Sequence, residues 1–274
     1  MTVDAKRVEV TRIAEGLGAT GRLGRDPIER TGRALDRFAR ALREDAIGRA
    51  AAVATGAFRI AENRDDAVAR LSDRLGVPIV VVGGEREAAL ARRGIRGAPG
   101  GAEPLAMLDI GGTSTEIAVG SLASSVPTGV VNLSEACAAA RPDDPEAWLR
   151  REAERVVARL ATPADPPAVW FAAGGAAVAL AARREGEGLL TFTGDRTDPI
   201  DRSALAAEYA AFRAEDREAR AARLGITVAH ADLIPAGWAL LEALLDRFDI
   251  PLLRPTGRGV AEGLLAETLE DPTP

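Results

Sequence analysis

Leu105-Ala-Met-Leu-Asp109-Ile-Gly111-Gly112-Thr113-Ser114-Thr115-Glu116-Ile-Ala-Val-Gly120 is the stretch on which the reading of this chain turns. An apolar strand delivers Asp109 at its carboxyl end, two glycines turn the chain, hydroxyl residues follow, and a returning strand starts at Glu116. Such a turn aims successive backbone N–H groups into a concavity, which is a way to hold phosphate without a lysine. Carboxylates at its two ends suit Mg²⁺, which takes one or two protein carboxylates and completes its octahedron with water and substrate phosphate. The same string, taken alone, also suits an ordinary β-hairpin with a polar turn.

Outward from this hairpin, short apolar runs alternate with amphipathic helical patterns, which predicts an α/β protein. Upstream, strands are predicted at 8–13, 51–55 and 79–82. A helix is expected from Asp26, with Pro27 in its first turn, and a second over 63–75. Residues 96–104 are rich in Gly and Pro and mark the best boundary. Downstream, strands are predicted at 105–109, 116–119, 128–133 and 169–172. Helices are expected from Asp144-Pro145, across most of 195–223, over 232–248 and over 259–268, with Leu252-Leu253 closing the sheet. The three tryptophans fall in these patterns and read as core; the pairs Arg92-Arg93, Arg150-Arg151 and Arg183-Arg184 read as solvated helix faces.

The chain of 274 residues is long enough to bury about 75% of its unfolded surface. With 35 basic and 41 acidic side chains its net charge is −6, which disfavours a general grip on nucleic acid or anionic lipid. Lys6 is the only lysine and no GxxxxGK[ST] string occurs, so a P-loop is excluded. One cysteine, Cys137, and one histidine, His230, rule out disulfide frameworks and Cys/His zinc sites. Cys137 reads as a buried small hydrophobe and His230 as a surface or capping residue. Carboxylates and backbone amides are left to carry any chemistry. The charged start and the lack of an 18-residue apolar run predict a cytoplasmic protein with no membrane partner.

Four more strings stand in order around the hairpin. They are Ala54-Thr55-Gly56-Ala57-Phe58-Arg59, Gly83-Gly84-Glu85-Arg86-Glu87-Ala88, Phe171-Ala-Ala-Gly174-Gly175-Ala176 and Thr256-Gly257-Arg258-Gly259-Val260-Ala261-Glu262-Gly263. Together the five resemble the exopolyphosphatase / guanosine pentaphosphate phosphohydrolase family, from about Val10 to about Leu265. The resemblance implies two ribonuclease-H-like domains of the actin and sugar-kinase type with substrate in the cleft between them. Residues 1–104, completed by a C-terminal helix over 259–270, would form the first domain and 105–258 the second. The implied reaction releases terminal phosphate from inorganic polyphosphate, or converts guanosine pentaphosphate to tetraphosphate, with Mg²⁺ and an activated water.

By position, Glu87 matches the family's catalytic glutamate, at a helix start where the dipole favours a carboxylate; Glu85 is the competing acid. Asp109 and Glu116 match the acidic ends of the second phosphate loop and the metal ligands. Gly111, Gly112, Thr113, Ser114 and Thr115 form that loop, Gly174 and Gly175 add to it, and Arg59 matches an arginine near the substrate channel. A homodimer is a family expectation. The family's opening D-I-G-S-N-S loop has no counterpart ahead of Val8, so the first domain reads as truncated. Thr113 replaces a glycine, which predicts an altered loop if that position needs a positive φ. Ala173, Ala176 and Ala261 replace polar residues. These departures leave a second reading open, a catalytically impaired homologue that binds polyphosphate or a guanosine nucleotide, or serves as a partner subunit. A phosphotransferase of the same superfold is a third, against which the strings holding Glu87 and Glu116 speak.

Overall fold

The computed structural model describes residues 6–98, 105–192, 194 and 198–270. Its strands are β1 (Ala52–Ala54), β2 (Ile79–Val81), β3 (Ala106–Ile110), β4 (Thr115–Val119), β5 (Leu122–Val126), β6 (Val169–Gly174), β7 (Ile200–Asp201) and β8 (Leu252–Thr256). The helices before β6 are α1 (Leu17–Thr20), α2 (Arg25–Glu44), α3 (Gly56–Ile60), α4 (Arg64–Leu75), α5 (Gly84–Arg96), α6 (Val130–Ala140) and α7 (Pro145–Val157). After it come α8 (Gly175–Glu185), α9 (Arg202–Ala214), α10 (Arg217–Leu224), α11 (Val228–Ala231), α12 (Ile234–Arg247) and α13 (Val260–Glu270). The fold is α/β, as the alternation of patterns predicts.

Six strands pair in the order β5-β4-β3-β6-β8-β7. β4 runs antiparallel to both of its neighbours, whereas β3, β6 and β8 are parallel, with β7 antiparallel at the edge. Side chains of successive strand residues point to opposite faces. Met107, Ala118 and Phe171 therefore pack one face against Ala91 and Ile95 of α5, and Val260 of α13 joins them. Leu108, Ile110, Ile117 and Ala172 pack the other face into the main core with α7, α8 and α12. A second, two-stranded parallel sheet pairs β1 with β2 and is covered by Ile28 of α2 and Ala67 and Leu71 of α4. Val131 and Leu233 tie this smaller cluster to the larger body.

Several expectations are corrected. Residues 8–13 form no strand. Instead α2 side chains hold them: Arg30 Nε donates to the Thr11 carbonyl at 3.1 Å and Thr31 Oγ1 to Thr11 Oγ1 at 2.9 Å. The segment at 128–133 is not a strand but the start of α6, and the third strand of the meander is β5. The amides of Val130 and Val131 bond to the carbonyls of Gly111 and Gly112, which takes them out of any ladder and starts the helix against the hairpin turn. α2 is capped by Gly24 without a side-chain bond, two residues earlier than the Asp26 signal implied. Arg183 is not a solvated charge: its side chain is 9% exposed and reaches Glu208 at 2.6 Å and Glu215 at 2.8 Å. The Gly/Pro boundary at 96–104 and the start of the 195–223 stretch fall partly outside the described residues.

Cys137 is buried, as are Trp170 and Trp238, while Trp148 is packed half-buried against the same core. The continuous run Val228–Arg247 is apolar and long enough to cross a membrane by length and composition, but 67% of it is buried within the protein. Leu240, Leu241 and Leu244 there are fully buried, so it is the central core helix.

α5 and α13 touch backbone to backbone. A Cβ at Gly263 would lie 1.8 Å from the Leu90 carbonyl oxygen, and one at Gly94 would lie 2.1 Å from that of Gly259. In an exposed helix Gly→Ala gains up to about 1 kcal/mol. Here the two helices must separate, and overpacking of this kind costs about 1–3 kcal/mol. Gly263→Ala is expected to lower the Tm by several degrees in a thermal melt, against the helix-propensity trend.

Candidate active site

The β3–β4 register places Asp109 directly opposite Glu116. Directly opposed residues on antiparallel strands hold their Cβ atoms about 4.5–5.5 Å apart on one face. That face is the one α5 covers, so two carboxylates stand side by side under the start of the helix that carries Glu87. Glu87 lies in the first turn of α5, its amide bonded to the Gly83 carbonyl at 2.9 Å. Arg59 reaches in from the short helix α3: its Nη1 pairs with Glu87, and its Nη2 lies 3.9 Å from Glu116 Oε1. The Val82 carbonyl accepts a long bond of 3.4 Å from the same guanidinium. Arg59, Glu87, Asp109 and Glu116 are thus brought together, whereas Glu85 is exposed on the outside of α5.

The hairpin turn is closed by the Gly111 amide donating to the Ser114 carbonyl at 3.0 Å. Among the described residues no acceptor is seen for the amides of Gly112, Thr113 and Ser114. Thr113 is not among the residues with positive φ, so the substitution of a glycine there produces no left-handed strain, contrary to expectation. The left-handed positions are instead Gly174 (φ 65°) and Gly175 (φ 52°), at the end of β6. A Cβ at Gly174 would lie 2.7 Å from Asp109 Oδ1, so the Asp109 carboxylate rests against bare backbone. Close approaches of the same kind hold the turn from outside. A Cβ at Gly129 would lie 2.3 Å from the Gly111 carbonyl oxygen, and one at Gly56 would lie 2.4 Å from Thr113 Oγ1. Thr115, fully buried, donates its hydroxyl to the Thr128 carbonyl at 2.8 Å and so buttresses the turn from within.

Ser125 Oγ donates to Glu116 Oε1 at 2.9 Å across the β4–β5 register. Sequence reasoning missed this residue because it placed the third strand at 128–133. With the strand at 122–126, a serine opposite Glu116 would have been legible.

Burial pushes the Asp109 carboxyl up to about 6, with the negative charge of Glu87 adding to the effect. Burial also raises Glu116 to about 7, helped by the charges of Asp109 and Glu87 and opposed by the hydroxyls of Ser114 and Ser125. Two buried acids that repel one another, with Arg59 as the near cation, make a site that gains from a further positive charge. Among the described residues no group of three or more His, Cys, Asp or Glu side chains is arranged to hold a metal ion.

A cavity of about 560 Å³ opens beside this cluster, at the carboxyl ends of β3, β6 and β8. Asp109, Gly111, Gly112, Gly174 and Gly175 form part of its wall; Arg59, Glu87 and Glu116 do not. Asp109 is therefore the residue shared by the carboxylate cluster and the cavity. His230 is half-buried in this wall, which corrects its reading as a surface or capping side chain.

The chain belongs to the Ppx/GppA phosphatase family, whose model matches residues 1–271. Among solved structures it is similar to an exopolyphosphatase-like protein, with a TM-score of 0.81 and 20% identity over 97% of this chain and 92% of that one. An exopolyphosphatase from Cytophaga hutchinsonii matches with a TM-score of 0.76 and 20% identity over 96% and 88% of the two chains. The Aquifex aeolicus member of the Ppx/GppA family matches with a TM-score of 0.67 and 24% identity over 97% and 89%. At these identities the structures establish a shared fold.

The raised Glu116 carboxyl fixes the sign of a stability effect. A folded state that holds a proton more tightly than the unfolded chain loses stability as pH rises from the unfolded value of 4.5 through about 7. Glu116→Gln removes that penalty, so without divalent metal it is expected to match wild type near pH 4.5 and to melt several degrees higher at pH 8. Paired thermal melts across this range check it, and an unchanged difference between the two pH values would refute the buried-charge account.

Proposed function

We propose that this protein hydrolyses the terminal phosphoanhydride bond of inorganic polyphosphate, with guanosine pentaphosphate as the alternative substrate. The observation that carries the reading is the in-register pair Asp109–Glu116 meeting Glu87 and Arg59 at a glycine turn. On this reading the chain has two domains, residues 1–104 with 259–270 and residues 105–258, and substrate lies in the cleft between them. The two separate sheets support that division. So does the strand order of the larger sheet, with β4 the single antiparallel strand in the run β5-β4-β3-β6-β8, which is the order of ribonuclease-H-like sheets.

Asp109 and Glu116 would hold Mg²⁺. Their chemistry fits: both are hard oxygen donors, and a pair leaves the remaining positions to water and phosphate oxygens. When bound, the cation supplies neutralisation of the phosphoryl charge. The amides of Gly112, Thr113 and Ser114 and the Gly174-Gly175 turn would hold phosphate oxygens by oriented N–H dipoles. Glu87 would accept a proton from water as the water oxygen bonds to the terminal phosphorus. The bond from that phosphorus to the bridging oxygen breaks, releasing orthophosphate and a chain shorter by one unit. Phosphoryl transfer of this kind depends on alignment and charge stabilisation more than on covalent chemistry. Arg59 can serve it only by exchanging Glu87 for a phosphate oxygen, which at the same time frees the Glu87 carboxylate.

The Arg59–Glu87 pair, with alanine at 173 and 176, also favours a second reading, a homologue that binds polyphosphate or a guanosine nucleotide without turnover, or acts as a partner subunit. Phosphate release from long-chain polyphosphate with Mg²⁺ separates the two. Hydrolysis by wild type, reduced about 10²–10⁴-fold in Glu87→Gln, is the expected result for the enzyme. Binding without release supports the second reading, and neither binding nor release defeats both.

A further inference from the structure

The cavity beside the glycine turns has a wall of mixed chemistry, polar at the turns and apolar beyond them. Five charged residues line it: Lys6, Arg12, Asp109, Arg258 and Glu262. Two carry negative charge, and Lys6 Nζ lies 3.0 Å from Glu262 Oε1 and also donates to the Gly257 carbonyl. The rest of the wall is chiefly aliphatic or aromatic, with Val8, Val10, Ile13, Leu189, Phe192 and Leu233 around it. Phosphates seated on the glycine turns would be compensated there, whereas further charged units lying against the apolar part of the wall would lose hydration with little in return.

Apolar side chains on the surface are ordinary when scattered, but here they surround one volume. Val8 and Val10 are 39% and 43% exposed and belong to a stretch of chain without regular structure that lines the cavity. Two polar atoms interrupt the apolar wall. His230 Nδ1 and Arg12 Nε are buried and find no hydrogen-bond partner among the described residues. Burial, with the nearby charge of Arg12, holds His230 below its ordinary value, so its ring is neutral at pH 7 and offers a hydrogen bond without charge. A volume of 560 Å³ is the size of a site for a small organic molecule.

We infer that this cavity binds the apolar body of an organic diphosphate whose phosphates sit on the Gly111-Gly112 and Gly174-Gly175 turns. The inference rests on the phosphate-binding reading of those turns and extends the ligand class from inorganic chains to diphosphate esters of aliphatic alcohols. The phosphate end is common to both; the body distinguishes them, because only an apolar body gains from leaving water in this wall.

The test is calorimetric titration of the full chain with three probes in the presence of Mg²⁺: inorganic pyrophosphate, geranyl diphosphate and guanosine diphosphate. Geranyl diphosphate is expected to bind at least tenfold more tightly than either of the others. Val10→Asp and Val8→Asp, both at exposed positions outside helices and strands, are expected to remove that advantage while changing pyrophosphate binding less than twofold. Equal binding of pyrophosphate and geranyl diphosphate would overturn the cavity assignment and leave the phosphate site intact. Guanosine diphosphate binding as tightly as geranyl diphosphate would also overturn it, in favour of a heteroaromatic body. Failure of all three to bind would instead defeat the phosphate-binding reading itself.

Discussion

Two carboxylates forced to face each other on neighbouring strands are the constraint to which the rest of the structure answers. Asp109 and Glu116 cannot be moved apart without shifting the β3–β4 register, and a one-residue slip would send Met107 and Ala118 to the wrong face. The hydrophobic pattern of the hairpin thereby fixes a like-charge contact that electrostatics alone would avoid. Arg59 and Ser125 relieve part of the repulsion from either side. What remains is an excess of negative charge at one defined place, set by the hydrophobic register and only partly met by its neighbours.

The turn itself is held by subtraction. At 129, 56 and 174 a missing side chain lets backbone, hydroxyl or carboxylate come closer than a Cβ would allow. Each glycine belongs to a different element: the start of α6, the start of α3 and the end of β6. Three elements that are distant in the chain therefore close on the stretch 109–114. This also explains why the threonine at 113 is tolerated, since its backbone lies outside the left-handed region and its hydroxyl faces the bare Gly56.

Most of this was legible in the sequence. The D-x-G-G-T-S-T-E string encodes both strands, the turn and the paired acids, because a strand period of two and a glycine turn leave few other outcomes. The string around Glu87 likewise fell where a helix start was expected, and Gly174 where a strand was expected to end, although the helix that follows it, α8, was not foreseen. The failures have a common cause: local pattern was outvoted by tertiary hydrogen bonding. Val130-Val131 look like a strand until the Gly111 and Gly112 carbonyls claim their amides, and Leu122–Val126, with its adjacent serines at 124 and 125, looks like a turn until it pairs with β4. Residues 8–13 have strand composition but no strand beside them. No pattern in the sequence reveals that Arg59 and Glu87 are partners, since the pairing depends on how α3 and α5 approach one another.

The two-stranded sheet at β1 and β2 is too small to stand alone, since isolated pairs of strands are marginal even with a turn to join them. Its apolar cluster is finished by Val131 and Leu233, borrowed from elements that belong with the larger sheet. The amino-terminal cluster therefore leans on the larger body for part of its interior. The arginine that faces Glu87 is carried on α3 within that cluster, so the electrostatic state of the carboxylates reports how the smaller sheet is seated against the larger.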